Sequence, residues 1–384
     1  MSQPLEIGSW VFSAKTHSTA ISPDRETVYS FDLEGRPISW FEEGRVFKRS
    51  LASEVHGRQK VEGERQRWVV PREAAAESFG RLLARVAEAP ADELPEEFRQ
   101  RLADILRWTP ETLLDEKERF DAAYEPIGIL PPDQYFAVVL QATLGCSWNR
   151  CTFCSFYQDR PFTARPPEQF VEHVEAVRGL LGRGEKLRNR IFLADGNALI
   201  LSNARLAPIF RAALDAFPDR PVNGFVDVFT GERKPVADWQ ELRGWGLERV
   251  YVGLESGYDR LLLWMNKPGG GDEAREFITA LKEAGLKVAT ILMCGAGGDR
   301  YAGEHVERTL DLMAGLPLEA GDIVYLSPFF EQPGSAYAQK ALEEQVRPLD
   351  QREREEQRTL LRKGILSAHP DIKVARYDIR EFIY

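Results

Sequence analysis

Three of the four cysteines fall within nine residues, in the run Leu144-Gly145-Cys146-Ser147-Trp148-Asn149-Arg150-Cys151-Thr152-Phe153-Cys154; the fourth, Cys294, lies far downstream. A disulfide framework does not space its cysteines this way, whereas a thiol cluster kept reduced does. Thiolates at C-x4-C-x2-C are close enough to serve one metal centre. Structural zinc asks for four closed ligands, commonly from two C-x2-C knuckles. Here there is no second knuckle, and the nearest histidine, His173, falls on an apolar helical stretch. Iron–sulfur clusters are held by cysteine thiolates, usually four. Three ligands would leave one iron of a four-iron cluster open, which is what a bound cofactor or substrate needs. Zinc, or three buried cysteines in a loop, remain as alternatives at this point.

The elements around this segment decide where it sits. From residue 135 onward, short apolar runs rich in β-branched residues cover 135–140, 190–194, 223–229, 249–254, 287–293 and 322–326. Amphipathic stretches separate them, with Phe170, Val174, Val177 and Leu181 on one helical face and Leu206, Ile209, Phe210, Ala213 and Phe217 on another. Six strands alternating with helices imply parallel βα units. A doubly wound sheet and a partial barrel both satisfy that count. In either, sites are built at the C-terminal ends of the strands, and the cysteine run occupies the first strand-to-helix loop. Polar residues recur at the later strand ends: Asp195-Gly196-Asn197, Asp227, Glu255-Ser256, then Lys267, and Gly295 in a glycine-rich turn.

The 384 residues carry 50 Lys+Arg against 60 Asp+Glu, a formal charge of -10. That balance argues against a protein held on nucleic acid by a bulk basic surface. Apolar residues make up 43% and aromatics 10%, enough for a sizeable core. No uncharged apolar run approaches the roughly 18 residues of a membrane helix, and the first residues lack the basic start and apolar stretch of a signal peptide. A cytoplasmic protein is expected. Upstream of the βα region, 27–31, 37–41 and 45–49 read as short strands, 52–67 as a charged loop, 72–125 as helical and 127–132 as a linker.

A Gly-Cys just after the first strand of six βα units, with a C-x-aromatic-C ending, resembles the radical S-adenosylmethionine (SAM) superfamily. The first cysteine spacing is one residue longer than the usual C-x3-C-x2-C. The resemblance covers residues 135 to about 335, and its motif style is nearest to coproporphyrinogen-oxidase-like and methylthiotransferase-like (elongator-type) members. It implies an α/β fold, a partial (β/α)6 TIM-like barrel over 131–335, with an N-terminal α+β extension over 1–130 and a C-terminal helical extension over 336–384. It implies two cofactors, a [4Fe-4S] cluster on Cys146, Cys151 and Cys154, and SAM. Phe153 would pack against the adenine side of the cluster loop, and backbone near Phe156 and Tyr157 would complete the adenine site. Asp195, Gly196 and Asn197 stand where the superfamily holds the methionyl ammonium. Asp227 and the Glu255-Ser256 strand end match ribose-binding positions, Lys267 the cation facing the SAM carboxylate, and Gly295 the strand end under the adenine.

The implied function is reductive cleavage of SAM to methionine and a 5′-deoxyadenosyl radical that acts on an unidentified small molecule or peptide. An electron donor such as flavodoxin or ferredoxin would be the partner, with no membrane, and with nucleic acid disfavoured but not excluded. The alternative is a non-catalytic or chaperone-type cluster- or haem-binding protein on the same scaffold. Tyr157, Tyr258, Tyr325 and Cys294 could quench a radical, yet spacing singles out none of them, and Cys294 reads as a small core residue. Residues 1–130 are too apolar in places, at Trp10-Val11-Phe12 and Trp68-Val69-Val70, to be a tail. They are expected to pack on the barrel as part of one unit and to shape the substrate pocket.

Overall fold

Alternating burial begins at once in the chain. In the computed structural model, which describes residues 4–61, 63–231 and 233–384, Phe12, Ala14, Ile21, Tyr29, Phe31 and Trp40 all turn inward. They lie on β2 (Trp10–Ala14), β3 (Thr19–Ser22), β4 (Val28–Phe31) and β5 (Pro37–Glu42), preceded by β1 (Leu5–Ile7) and followed by β6 (Arg45–Arg49), β7 (Val55–Val61) and β8 (Glu64–Val70). These eight strands form one antiparallel sheet in sequence order, a meander with one face turned to the core and the other toward solvent. Helix α1 (Arg72–Ala87) lays Ala75, Phe79, Leu82 and Val86 against it, at the spacing of a single helical face. Helices α2 (Glu96–Leu106) and α3 (Pro110–Ala123) complete the layer, adding Phe98, Leu102, Ile105 and Leu113 to the same core.

The expected loop over 52–67 is a correction. Most of it is the β7–β8 hairpin, in which Val55 pairs Val70 and Val61 pairs Glu64. Its run of charged and amide side chains hides the period of two, because the hairpin ends the sheet with one edge unpaired and tolerates polar residues there.

By its contacts the chain divides into two compact units, one of residues 1–127, 173–189 and 383–384, the other of 128–172 and 190–382. Helix α4 (Pro167–Leu181) therefore begins in the second unit and ends in the first. In the first unit, buried Arg36 reads the end of this helix. Its guanidinium donates to the carbonyls of Leu180 (2.8 Å) and Leu181 (2.6 Å), where a cation suits the negative end of the helix. It also pairs with Asp32 (2.8 Å) and Glu116 (2.7 Å), both buried. Removing one partner of such a network leaves charge stranded out of water, so Arg36→Ala is expected to cost about 3–5 kcal/mol. Urea unfolding followed by tryptophan fluorescence reads that loss, and a midpoint equal to the parent's contradicts it.

The second unit is built on parallel strands: β9 (Ala137–Gln141), β12 (Arg190–Ala194), β13 (Val222–Val226), β14 (Leu247–Glu255), β15 (Lys287–Cys294), β16 (Ile323–Pro328) and β17 (Lys373–Arg376). They pair neighbour to neighbour in chain order. A doubly wound sheet reverses its strand order at a switch point; this one never reverses, which is the progression of a barrel. Its two end strands, β9 and β17, do not pair, so the barrel is open. Near-continuous burial of β9, β15 and β16 follows from cover on both faces. The crossing helices are α5 (Asn203–Ala216), the single turn α6 (Val228–Gly231), α7 (Val236–Gly244), α8 (Asp259–Trp264), α9 (Gly271–Glu283), α10 (Gly298–Ala314), α11 (Ala336–Glu343) and α12 (Gln351–Ala368).

Two expectations change here. The sheet has a seventh strand, β17, supplied by a C-terminal segment expected to be only helical. The third strand stops at Val226, so Asp227 sits just beyond it at the start of α6. Toward the strand starts, the Asp133 carboxylate accepts hydrogen bonds from the buried hydroxyls of Tyr251 (2.6 Å) and Tyr325 (2.7 Å) and pairs with Arg249 (3.3 Å). Tyr325, a candidate radical quencher by sequence, is thus part of a polar plug at that end.

Candidate functional site

The cysteine loop leaves β9 through the two-residue strand β10 (Thr143–Leu144) and returns through β11 (Thr163–Ala164), which pairs with it antiparallel. This short ladder closes the 18 residues between them into one compact excursion at the C-terminal end of the barrel. Three further sets of bonds fix it. Asp195, buried at the end of β12, accepts from the Gln141 amide (3.0 Å) and the Gly145 N–H (3.1 Å), while its own N–H donates to Thr143 O (3.0 Å). Inside the loop, the Asn149 amide donates to Tyr157 O (2.7 Å). On the far side, the Trp148 indole donates to Asn266 O (2.9 Å), the Asn266 amide to Arg150 O (2.8 Å), and both the N–H and the hydroxyl of Thr152 to Met265 O (3.0 and 3.1 Å). The loop is therefore laced to the end of β12 and to the turn that follows α8.

Gly196 explains the closeness of this seat. A β-carbon there would lie 2.8 Å from the Tyr157 ring and 3.4 Å from Cys146 Cβ, so only glycine lets the β12 end approach the first cysteine. The three loop cysteines are half-buried and unbonded to one another. Burial pushes the Cys151 thiol up to about 12 and that of Cys154 to about 11; Lys267 pulls both down, and the neighbouring cysteines push them back up. Among the described residues no three His, Cys, Asp or Glu side chains meet at one point as ligands of a single ion. A four-iron cluster asks each thiolate for a different iron, so separate, mutually interacting thiols in one loop suit it. Binding iron would displace their protons.

Around the loop stand four of the polar residues expected from the sequence. The Asn197 amide, fully buried, donates to Ser147 Oγ (2.8 Å), Thr230 Oγ1 (3.1 Å) and the Asp227 carboxylate, and its oxygen accepts the Asp227 N–H (3.1 Å). Asp227 in turn accepts from the N–H and hydroxyl of Thr230 (2.7 Å each). Lys267 lies 3.8 Å from Glu255. Burial works against the Lys267 ammonium, but Glu255, Cys151, Asp227 and Cys146 outweigh it and hold the group above its ordinary value. Burial likewise raises Glu255, with Lys267 opposing. One cation thus faces the β14 carboxylate, the β13 end and the cysteine loop together.

The remaining expected contacts are engaged differently. Asp195 uses its carboxylate to hold the loop, leaving backbone for a ligand. Ser256 is turned inward, with its hydroxyl bonded to His305 Nδ1 (2.7 Å). The Gly295 N–H donates to Gln357 Oε1 (2.7 Å), and the stem of Arg354 covers its Cα. Phe153 packs against the buried cluster that contains Leu261, Met265 and Met293, and Phe156 lies against Gly128. Sequence reading missed the roles of Gln141, Asn149 and Trp148, and it marked Asn266 only as the neighbour of Lys267; all four make bonds across loops with no local signature. Cys294 is fully buried, as a core residue would be.

Residues 140–313 match the radical SAM superfamily model. That segment is a radical SAM domain. The cofactors of such a domain are a [4Fe-4S] cluster and SAM, and the superfamily consists mostly of enzymes. No curated protein matches the chain. Among solved structures it is similar to coproporphyrinogen III oxidase (HemN) from Escherichia coli, with 13% identity, TM-score 0.41 and coverage of 61% of this chain and 54% of that one. It is also similar to the radical SAM methyltransferase TsrM from Kitasatospora setae, with 16% identity, TM-score 0.43 and coverage of 58% and 40%. The FeFe-hydrogenase maturase HydG from Carboxydothermus hydrogenoformans gives 13%, 0.42, 79% and 76%. The chain spans about half or less of the length of the first two. No helix among its described residues is long and apolar enough to cross a membrane.

Proposed function

We propose that the chain is a radical SAM enzyme acting on a small molecule or peptide, with Cys146, Cys151 and Cys154 holding the cluster and SAM lying across the ends of β12, β13 and β14. The observation that carries this reading is the position of Lys267, 3.8 Å from Glu255 and within electrostatic reach of Cys151, Cys146 and Asp227. When bound, the two cofactors supply one-electron cleavage of the sulfonium and a 5′-deoxyadenosyl radical able to abstract a hydrogen atom. The chain binds and orients. Lys267 offers a fixed cation to the SAM carboxylate. The β12 end, Asp195 to Asn197, offers carbonyls to the ammonium. Glu255 and Asp227 accept hydrogen bonds from ribose hydroxyls, and a carboxylate can take two at once. Phe153 and Phe156 present apolar surface beside the cysteines and help keep water from the reactive atoms. The reducing equivalent comes from a protein partner such as flavodoxin or ferredoxin.

Each hydrogen bond to a charged acceptor is worth about 1.5–3 kcal/mol. Glu255→Ala is therefore expected to weaken SAM binding tenfold or more, with iron content unchanged. Calorimetry on the anaerobically reconstituted protein checks this, and an affinity within about twofold of the parent removes Glu255 from the ribose site. Formation of 5′-deoxyadenosine under reductant tests the enzyme reading itself; a cluster-loaded protein that binds SAM and yields none under any condition belongs with the chaperone-type alternative.

A further inference from the structure

Glu255 occupies a backbone conformation that side-chain-bearing residues seldom adopt, with φ at +62°. The strand pairing slips at the same place, between Gly253 and Glu255. Such a position persists only when its surroundings hold it, and the next two residues show what does. The Ser256 hydroxyl bonds His305 Nδ1 (2.7 Å) and accepts the Tyr258 N–H (3.0 Å). The Gly257 N–H donates to Thr309 Oγ1 (2.9 Å). Gly257 also comes so close to α10 that a β-carbon would lie 2.4 Å from Arg308 O. The Ser-Gly that follows Glu255 is thus a docking joint onto α10.

His305 is the centre of that joint. It is fully buried, and its Nε2 lies 2.8 Å from Met293 O. A carbonyl only accepts, so Nε2 carries the proton and Nδ1 is the acceptor for the Ser256 hydroxyl. Burial pushes the imidazole down to about 4, so it stays neutral and keeps this one-donor, one-acceptor pattern. One ring therefore ties the end of β14, at Ser256, to the end of β15, at Met293.

We propose that His305 is a positioning residue for SAM: by clamping the β14 and β15 ends together through Ser256 and Met293, it holds the Glu255 carboxylate in the orientation the ribose needs. This rests on the reading of Glu255 given above. The sequence contains the partners, but the histidine lies on a helix 49 residues beyond the serine, with no local pattern to connect them.

The test uses the full chain with its cluster reconstituted anaerobically, in the variants His305→Phe, His305→Gln, Ser256→Ala and Glu255→Gln. Two quantities are read: SAM affinity by equilibrium dialysis, and amide hydrogen exchange at Gly257 and Tyr258 without SAM. His305→Phe is expected to retain iron, exchange faster at both amides and bind SAM about tenfold more weakly. Glutamine also carries one donor and one acceptor, so His305→Gln should restore most of the affinity. Should the phenylalanine variant fail to fold, Ser256→Ala removes one bond only and should still weaken SAM about fivefold. Parent-like affinity in His305→Phe or Ser256→Ala, alongside a weakened Glu255→Gln, overturns the positioning role alone. Equal losses in the Phe and Gln variants overturn it too, since packing and not hydrogen bonding would then be at work. Parent-like affinity in Glu255→Gln sinks the ribose reading and this inference with it.

Discussion

Alanine at any one of Cys146, Cys151 or Cys154 is expected to strip most of the iron from the reconstituted protein, whereas Cys294→Ala keeps it. The three loop thiols are partly open to solvent in an excursion closed by the β10–β11 ladder, and they interact electrostatically with one another. Thiolates are the soft ligands there, and replacing one leaves an iron with only an oxygen or water ligand. Cys294 is fully buried on β15, with burial raising its thiol to about 12. It has neither exposure nor a neighbouring thiol. Iron and sulfide analysis with the visible charge-transfer band checks all four variants. Near-full iron in any of the first three, or loss in the fourth, defeats the assignment. The backbone bonds from Thr152 to Met265 and the side-chain bonds at Trp148 and Asn266 do not involve sulfur, so the variants should keep the fold and lose the cluster alone.

What could be read from the sequence was what is local. The cysteine run carries its chemistry within nine residues, and short apolar runs such as 137–140 show themselves without partners. β17 did not: four residues, two of them charged, become a strand only beside β16. The β7–β8 hairpin was hidden by its charge. Side-chain direction was the least legible. Ser256 and Gly295 occupy strand ends of the right kind, yet the serine hydroxyl is taken by a helix 49 residues on and the glycine N–H by Gln357. Asp195 holds the loop whose chemistry it was expected to share. In each case the deciding partner is a bond between segments far apart in sequence, which no periodicity encodes.

A chain beginning at residue 126 is expected to be insoluble or to lose most of its iron, although it retains the whole radical SAM barrel. Residues 173–189 belong with 1–127 in one compact unit, and the truncation cuts that unit through its own core. On the second half of α4, Val174, Val177, Leu180 and Leu181 are buried, and exposing a side chain of this kind costs about 1.5–3 kcal/mol. The carbonyls of Gly179, Leu180 and Leu181, which accept from Arg119 and Arg36, would lose those donors, and the His173 ring, which donates to Ala123 O at 2.9 Å, would lose that acceptor. The helix so stripped is the one that follows the cysteine loop and returns the chain to β12, so its fraying would reach the segment that carries Cys146, Cys151 and Cys154. Expression of 126–384 beside the full chain, with solubility, iron content and 5′-deoxyadenosine formation measured together, gives the answer. A fragment that is soluble, fully loaded and as active as the parent would mean that the end of α4 stands without its sheet-and-helix partner. The N-terminal segment would then have no structural claim on the site.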